Sequence, residues 1–187
     1  MMAALMKISF LWVTMKKILL TTTLALAGLI ACQNSTKSTA TEKETAEEKL
    51  PAKLVDRIEL VDLAGNVISL ADFKGKTVFL NYWATWCRPC LAEMPDIDKA
   101  AKILSEEGFV FLAASDEDIE KIKKFVAKVD YSFKFVHSKT SVFDLDIAAL
   151  PTTFVINKQG EIVYNEVGAR DWASATELEN LRKLAGQ

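Results

Sequence analysis

The residues from about Leu54 to Gln187 predict one α/β domain, a layered sheet with helices on its faces. Three observations carry that expectation. The run Thr77 to Trp83 is apolar apart from Asn81, as a strand buried on both faces should be. Short apolar strands then alternate with stretches of helical periodicity. The region also has the size of one domain, with no internal repeat and no long structureless loop.

The elements follow in order. Ile58 to Leu63 and Val67 to Leu70 flank Ala64-Gly65-Asn66 and predict a hairpin. Gly75-Lys76 precedes the strand Thr77 to Trp83. Pro89 suits a first helical position, and Leu91, Met94, Ile97, Ala101 and Leu104 recur at helical spacing, with Pro95 expected to interrupt and kink the helix. A strand at Phe109 to Ala114, a helix at about Glu117 to Val129 and a strand at Phe133 to Val136 come next. Phe109, Phe111, Phe133 and Phe135 alternate as core positions would. A short helix near Ser141 to Ala148 leads to Pro151. The chain closes with a strand at Thr153 to Ile156, a turn at Lys158-Gln159-Gly160, a strand at Ile162 to Asn165 and a helix near Ala175 to Leu184.

The N-terminal third reads differently. Met15-Lys16-Lys17, the apolar run Ile18 to Ile30 and the small Ala31 ahead of Cys32 have the layout of a secretory signal. The run is shorter than the roughly 20 residues that span a bilayer as a helix. A cysteine directly after the cleavage point resembles a bacterial lipoprotein signal, so residues 1–31 are expected to be removed and Cys32 to carry lipid. Met15 is a candidate start, because Met1 to Thr14 precede an already complete signal. From Cys32 to Lys53 the chain is polar and without aromatic residues, which is expected of a flexible tether. The protein is thus placed in the bacterial cell envelope, outside the cytoplasm and anchored to the bilayer through Cys32. Its 23 basic and 25 acidic residues nearly balance, and no basic patch argues for nucleic acid.

Cys87 and Cys90 are the two cysteines left once Cys32 is set aside, in a compartment that permits disulfides. They lie in Phe79-Leu80-Asn81-Tyr82-Trp83-Ala84-Thr85-Trp86-Cys87-Arg88-Pro89-Cys90, followed by Glu93 and Pro95, and further on by Leu150-Pro151-Thr152-Thr153-Phe154-Val155-Ile156 with Gly160. This pattern resembles the TlpA/ResA-like branch of the thioredoxin superfamily across nearly all of Leu54 to Gln187. The resemblance implies a thioredoxin fold, a mixed central sheet flanked by helices, extended by an N-terminal hairpin and by an inserted helix and strand within Glu117 to Val136. It also implies a cis Pro151 lying against the cysteine pair; no cofactor or metal is expected.

The expected chemistry follows from the residue types. A cysteine at a helix N-terminus has its thiolate favoured by unsatisfied N–H groups and the helix dipole, which makes Cys87 the expected nucleophile. Arg88 adds positive charge beside it. Cys90, one turn deeper, is near enough to close a disulfide with Cys87 and to resolve the mixed disulfide with a substrate. Glu93, three residues on, is expected to be a partly buried acid that takes and returns the Cys90 proton. Asn81 stands where thioredoxin has an aspartate, so this role falls to Glu93. Leu150, ahead of Pro151, is expected to offer backbone groups to an extended substrate, with Trp86, Arg88 and Pro89 completing that surface. Trp83 and Trp86 are read as packing and site-shaping residues.

Other residues have plainer readings. His137 is expected in a loop, and Ser115-Asp116-Glu117-Asp118 as a helix start and not a metal cluster. The leading function is reduction of protein disulfides, such as that of apocytochrome c, with re-reduction by a membrane electron donor implied by the resemblance. The direction of electron flow is left open by the residues. The alternative is a copper(I)-binding, metallochaperone-like module using the same cysteines.

Overall fold

A strand that is apolar on both faces must be covered twice, and the run at Thr77 is such a strand. In the computed structural model, which describes residues 53–187, it forms β3 (Thr77–Tyr82), with every residue buried. The signal segment 1–31, lipidation at Cys32 and the tether ahead of Lys53 lie outside the described residues.

β3 pairs in parallel with β4 (Phe109–Ser115) and antiparallel with β6 (Thr152–Ile156). β5 (Lys134–Ser138) continues the parallel part beside β4. The hairpin of β1 (Leu60–Val61) and β2 (Val67–Ile68) joins through β1 to β5, and β7 (Ile162–Val167) lies beyond β6 at the other edge. The order β2-β1-β5-β4-β3-β6-β7 is a mixed seven-stranded sheet, with the hairpin and β5 with the helix before it as additions to a thioredoxin-type core. Helices α1 (Arg88–Leu104), α2 (Ile119–Val126) and α3 (Ala175–Ala185) complete the domain.

Side chains alternate across β3. Phe79 and Trp83 join an aromatic core with Met94, Ile97 and Leu104 of α1, Ile122 of α2 and Leu181 of α3. Val78, Leu80 and Tyr82 enter a second core with Leu60, Leu112, Val136 and Phe154. Short 3-10 turns at Leu54–Arg57 and Leu70–Phe73 and the turn around Leu145 cover that second face. Asn81 shares the α1 face with Phe79 and Trp83, which puts its amide beneath the helix.

The structure departs from the expected elements at several places. Leu70 belongs to a 3-10 turn instead of the hairpin, because Ser69 caps that turn by accepting from the Ala71 N–H at 3.2 Å. α1 runs without a break through Pro95, whose ring sits on an exposed part of the helix surface. α2 starts later than expected, since Asp118 accepts from the Glu120 N–H, and it ends at Val126 in tighter turns. No helix forms at Ser141 to Ala148. There Ser141 Oγ accepts from the Asp144 N–H, and Asp146 takes φ 58°, a left-handed conformation that a helix cannot contain. His137 lies in β5, paired with Val61, and not in a loop.

Candidate active site

β3 ends against the start of α1, and a tight turn joins them in which the Cys87 N–H donates to the Ala84 carbonyl at 3.0 Å. Cys87 is the N-cap of α1, in extended backbone, while Arg88 and Pro89 occupy the first helical positions, where a missing N–H costs nothing. Cys87 and Cys90 form a disulfide with Cα atoms 5.3 Å apart. The two sulfurs are unlike in setting. Cys87 retains 4% exposure beside Trp86, which is 71% exposed, whereas Cys90 is fully enclosed. The Cys90 N–H points at Cys87 Sγ, 3.3 Å away, so a free backbone donor of the first helical turn faces that sulfur.

Glu93 lies one turn beyond Cys90 and is 3% exposed. Its Oε1 accepts from Asn81 Nδ2 at 2.9 Å, and its Oε2 accepts from Trp172 Nε1 at 2.9 Å and from the Arg170 N–H at 3.1 Å. Asn81 Nδ2 also donates to Thr153 Oγ1 at 2.9 Å, which ties β3 to β6 behind the disulfide. Burial pushes the Glu93 carboxyl above the ordinary glutamate value, and the nearby Asp96 adds to the rise; the three N–H donors pull the other way.

The Leu150–Pro151 peptide is cis, with Pro151 buried and Leu150 half-buried. The Pro151 carbonyl accepts from the Gly168 N–H at 2.8 Å, which binds this corner to the end of β7. Among the described residues, the Leu150 N–H and C=O have no protein partner, so both are free to pair with an added extended segment.

Glu117 closes the other flank. It accepts from the Thr85 N–H at 2.6 Å and from Thr85 Oγ1 at 2.9 Å, holding the turn before the cysteines to the end of β4. The helix-start reading of this acidic stretch is correct for Asp118 and incomplete for Glu117, whose carboxylate serves the redox turn. Asp116 accepts from the Val142 N–H at 2.9 Å, and no metal-like cluster forms among the described residues. Trp83 is buried against Phe125 and Phe135 and supports the turn from below. Trp172 and Arg170 carry no sequence signal of their own, because they reach Glu93 from a loop far along the chain.

A scan against protein-family models matches residues 45–183 to the Redoxin family. The chain is 37% identical over 123 residues to the thiol-disulfide oxidoreductase ResA of Bacillus thuringiensis subsp. konkukian, spanning 64% of this chain and 71% of the relative. It is 38% identical over 127 residues to ResA of Halalkalibacterium halodurans, spanning 66% and 72%. Among solved structures, the exposed lipoprotein thioredoxin Etrx1 of Streptococcus pneumoniae superposes with a TM-score of 0.57 at 27% identity, over 67% of this chain and 97% of that one. The chain therefore belongs to the Redoxin family as a thioredoxin-fold thiol-disulfide oxidoreductase, with its Cys87–Cys90 pair at the head of α1.

Proposed function

We propose that this protein is a membrane-anchored reductant of protein disulfides outside the cytoplasm, with Cys87 as nucleophile and Cys90 as resolving thiol. The observation that carries the assignment is the asymmetry of the pair: Cys87 is the N-cap of α1, with the Cys90 N–H on its sulfur and exposed Trp86, Arg88 and Pro89 beside it, whereas Cys90 is fully enclosed. In the reduced protein the Cys87 thiolate attacks one sulfur of the substrate disulfide, and the first substrate thiolate leaves. Cys90 then gives its proton to Glu93 and attacks Cys87 Sγ. This re-forms the Cys87–Cys90 disulfide and expels the second substrate thiolate, so that two electrons pass to the substrate. The free Leu150 backbone groups and exposed Trp86, Arg88 and Pro89 supply the docking edge.

The signal layout before Cys32 supports the anchor and the envelope location. An oxidised, anchored protein needs an electron donor reachable from the membrane, and a substrate such as the cysteine pair of apocytochrome c, oxidised too early, fits the reductive direction. For the copper(I) alternative, His137 offers no third ligand near the pair, since it lies in β5, two strands away from β3.

The test is the reduction potential of the Cys87/Cys90 couple against glutathione. A value near thioredoxin, about −270 mV, supports a reductase, and one near DsbA, about −120 mV, overturns it. Release of the protein from membranes by Cys32→Ala tests the anchor; a variant that stays membrane-bound refutes it. Stoichiometric copper(I) binding that survives glutathione, without reductase activity, would favour the alternative.

A further inference from the structure

Two buried tryptophans flank the redox helix, and their indole N–H groups differ. Trp83 Nε1 is buried with no partner among the described residues, so enclosure in this core does not by itself bring an acceptor to an indole. Trp172, equally buried, packs edge-on to Phe79 at 4.9 Å between ring centroids and donates to Glu93 Oε2 at 2.9 Å. Its loop is held on both sides. Gly168, at φ 104°, donates its N–H to the Pro151 carbonyl, and Ser174 caps α3 by accepting from the Glu177 N–H.

The donors on Glu93 are unevenly shared. Each carboxylate oxygen has two lone pairs in its plane. Oε2 has both engaged, by Trp172 Nε1 and the Arg170 N–H, while Oε1 has one engaged, by Asn81 Nδ2. A proton reaching Oε2 must displace a donor, whereas one reaching Oε1 meets an open lone pair.

We propose that Trp172 is a positioning residue for the proton step: its indole N–H, with the Arg170 backbone N–H, occupies Oε2 of Glu93 and leaves Oε1 as the atom that takes the Cys90 proton. The inference rests on the base role given to Glu93 under the proposed function. It adds the residue that decides which oxygen acts and keeps the carboxyl ionised enough to act.

The charges around the carboxyl leave the indole as the adjustable partner. On α1, Asp96 opposes ionisation and is itself paired with Lys99 at 2.8 Å. On the loop after β7, the Arg170 guanidinium is drawn away to Glu166 and Glu177, and the Asp171 charge acts on Lys99. β3 and β6 present the neutral Asn81 and Thr153. Among the described residues no cation contacts the carboxylate, and the N–H donors of Asn81, Arg170 and Trp172 hold the charge.

The experiment is the pH profile of disulfide reduction by the full chain and by Trp172→Phe, which keeps a ring against Phe79 and removes the donor. The acid limb is expected to move up by about one pH unit, a rate about tenfold lower on that limb, as loss of a hydrogen bond to a charged group implies. Thermal unfolding of both proteins controls for packing. A limb left in place while Trp172→Phe loses stability means a core residue only, and overturns the proposal. Glu93→Gln separates the two ideas. If it leaves the limb and the rates unchanged, the base role fails and this inference fails with it. If it removes the limb and Trp172→Phe does not move it, only this inference fails. Should Trp172→Phe not fold, the indole ¹⁵N–¹H resonance of Trp172 in the unaltered chain decides. It is expected to titrate with the Glu93 carboxyl, and a resonance that does not move overturns the proposal.

Discussion

The front and the back of the disulfide are built on opposite principles. In front, around Cys87, polar groups are left free. The Leu150 backbone has no partner among the described residues, Trp86 is 71% exposed, and Arg88 and Pro89 face solvent. Behind, around Cys90, Glu93, Asn81, Thr153, Trp172 and the Arg170 N–H form an enclosed set linked by hydrogen bonds, with little contact with water, in which Asn81 Oδ1 has no partner among the described residues. Free groups suit a surface whose partner arrives from outside. An enclosed set suits a proton that must go to one place and return. The difference teaches that two cysteines of one motif, three residues apart, are separated by environment more than by position.

Exchanging the sulfurs one at a time is the strongest way to break that comparison. Cys87→Ser should lower disulfide reductase activity by at least about a thousandfold, because no other thiolate reaches the substrate. Cys90→Ser should also stop turnover, yet keep the first attack and accumulate a mixed disulfide between Cys87 and the substrate. Non-reducing electrophoresis and mass spectrometry of each variant with substrate read this directly. Trapping by the Cys87→Ser variant, through Cys90, would show that the front and back are wrongly assigned.

How far this asymmetry could be read from sequence depends on how local its parts are. Cys87, Cys90 and Glu93 lie on two successive turns of one helix, so spacing alone brings them together, and β3 announces itself by its apolar run. Leu150 and Pro151 are far away in the chain and were legible only through their resemblance to a known pattern. The element at Ser141 to Ala148 carries one helical i, i+3 pair, Val142 and Leu145, but Asp146 in the left-handed region and the side-chain bonds of Ser141 and Asp116 favour turns there. Glu117 was hidden because an acid ahead of a helix has a sufficient local reason to be there. Trp172 was hidden for the opposite reason. Nothing local marks it, and only the packing of the loop after β7 against α1 gives its N–H an acceptor.

The front can be tested alone through Trp86. Truncating an exposed aromatic at a docking surface costs on the order of 1–2 kcal/mol, so Trp86→Ala should lower kcat/KM for a protein disulfide by about tenfold. The rate with a small soluble disulfide, which has no extended segment to dock, should change much less. Equal losses for both substrates would mean that Trp86 shapes the disulfide itself and is not part of the docking edge.

The back is expected to give the smallest effect, because opposing influences meet on one carboxyl. Burial raises the Glu93 pKa above its ordinary value of 4.5, and three N–H donors offset part of the rise. With the folded value raised, the folded protein holds a proton that the unfolded chain has already lost. Stability is therefore greatest below the unfolded value and declines as pH climbs from near 4.5 until Glu93 is ionised in the fold. Glu93→Gln should remove this decline. The amide can keep its oxygen on Trp172 and Arg170 and turn its NH2 toward Asn81, whose own Oδ1 is buried, has no partner among the described residues and can be brought round to accept it. Urea unfolding of the oxidised protein and its Glu93→Gln variant across that pH range, with the cysteines locked as a disulfide, isolates the contribution. Asp62, Asp98 and Glu107, whose pKa values are lowered, titrate alike in both proteins and cancel in the difference. A difference that stays flat with pH would mean that the donors fully balance burial, and that Glu93 enters the fold with an ordinary affinity for its proton.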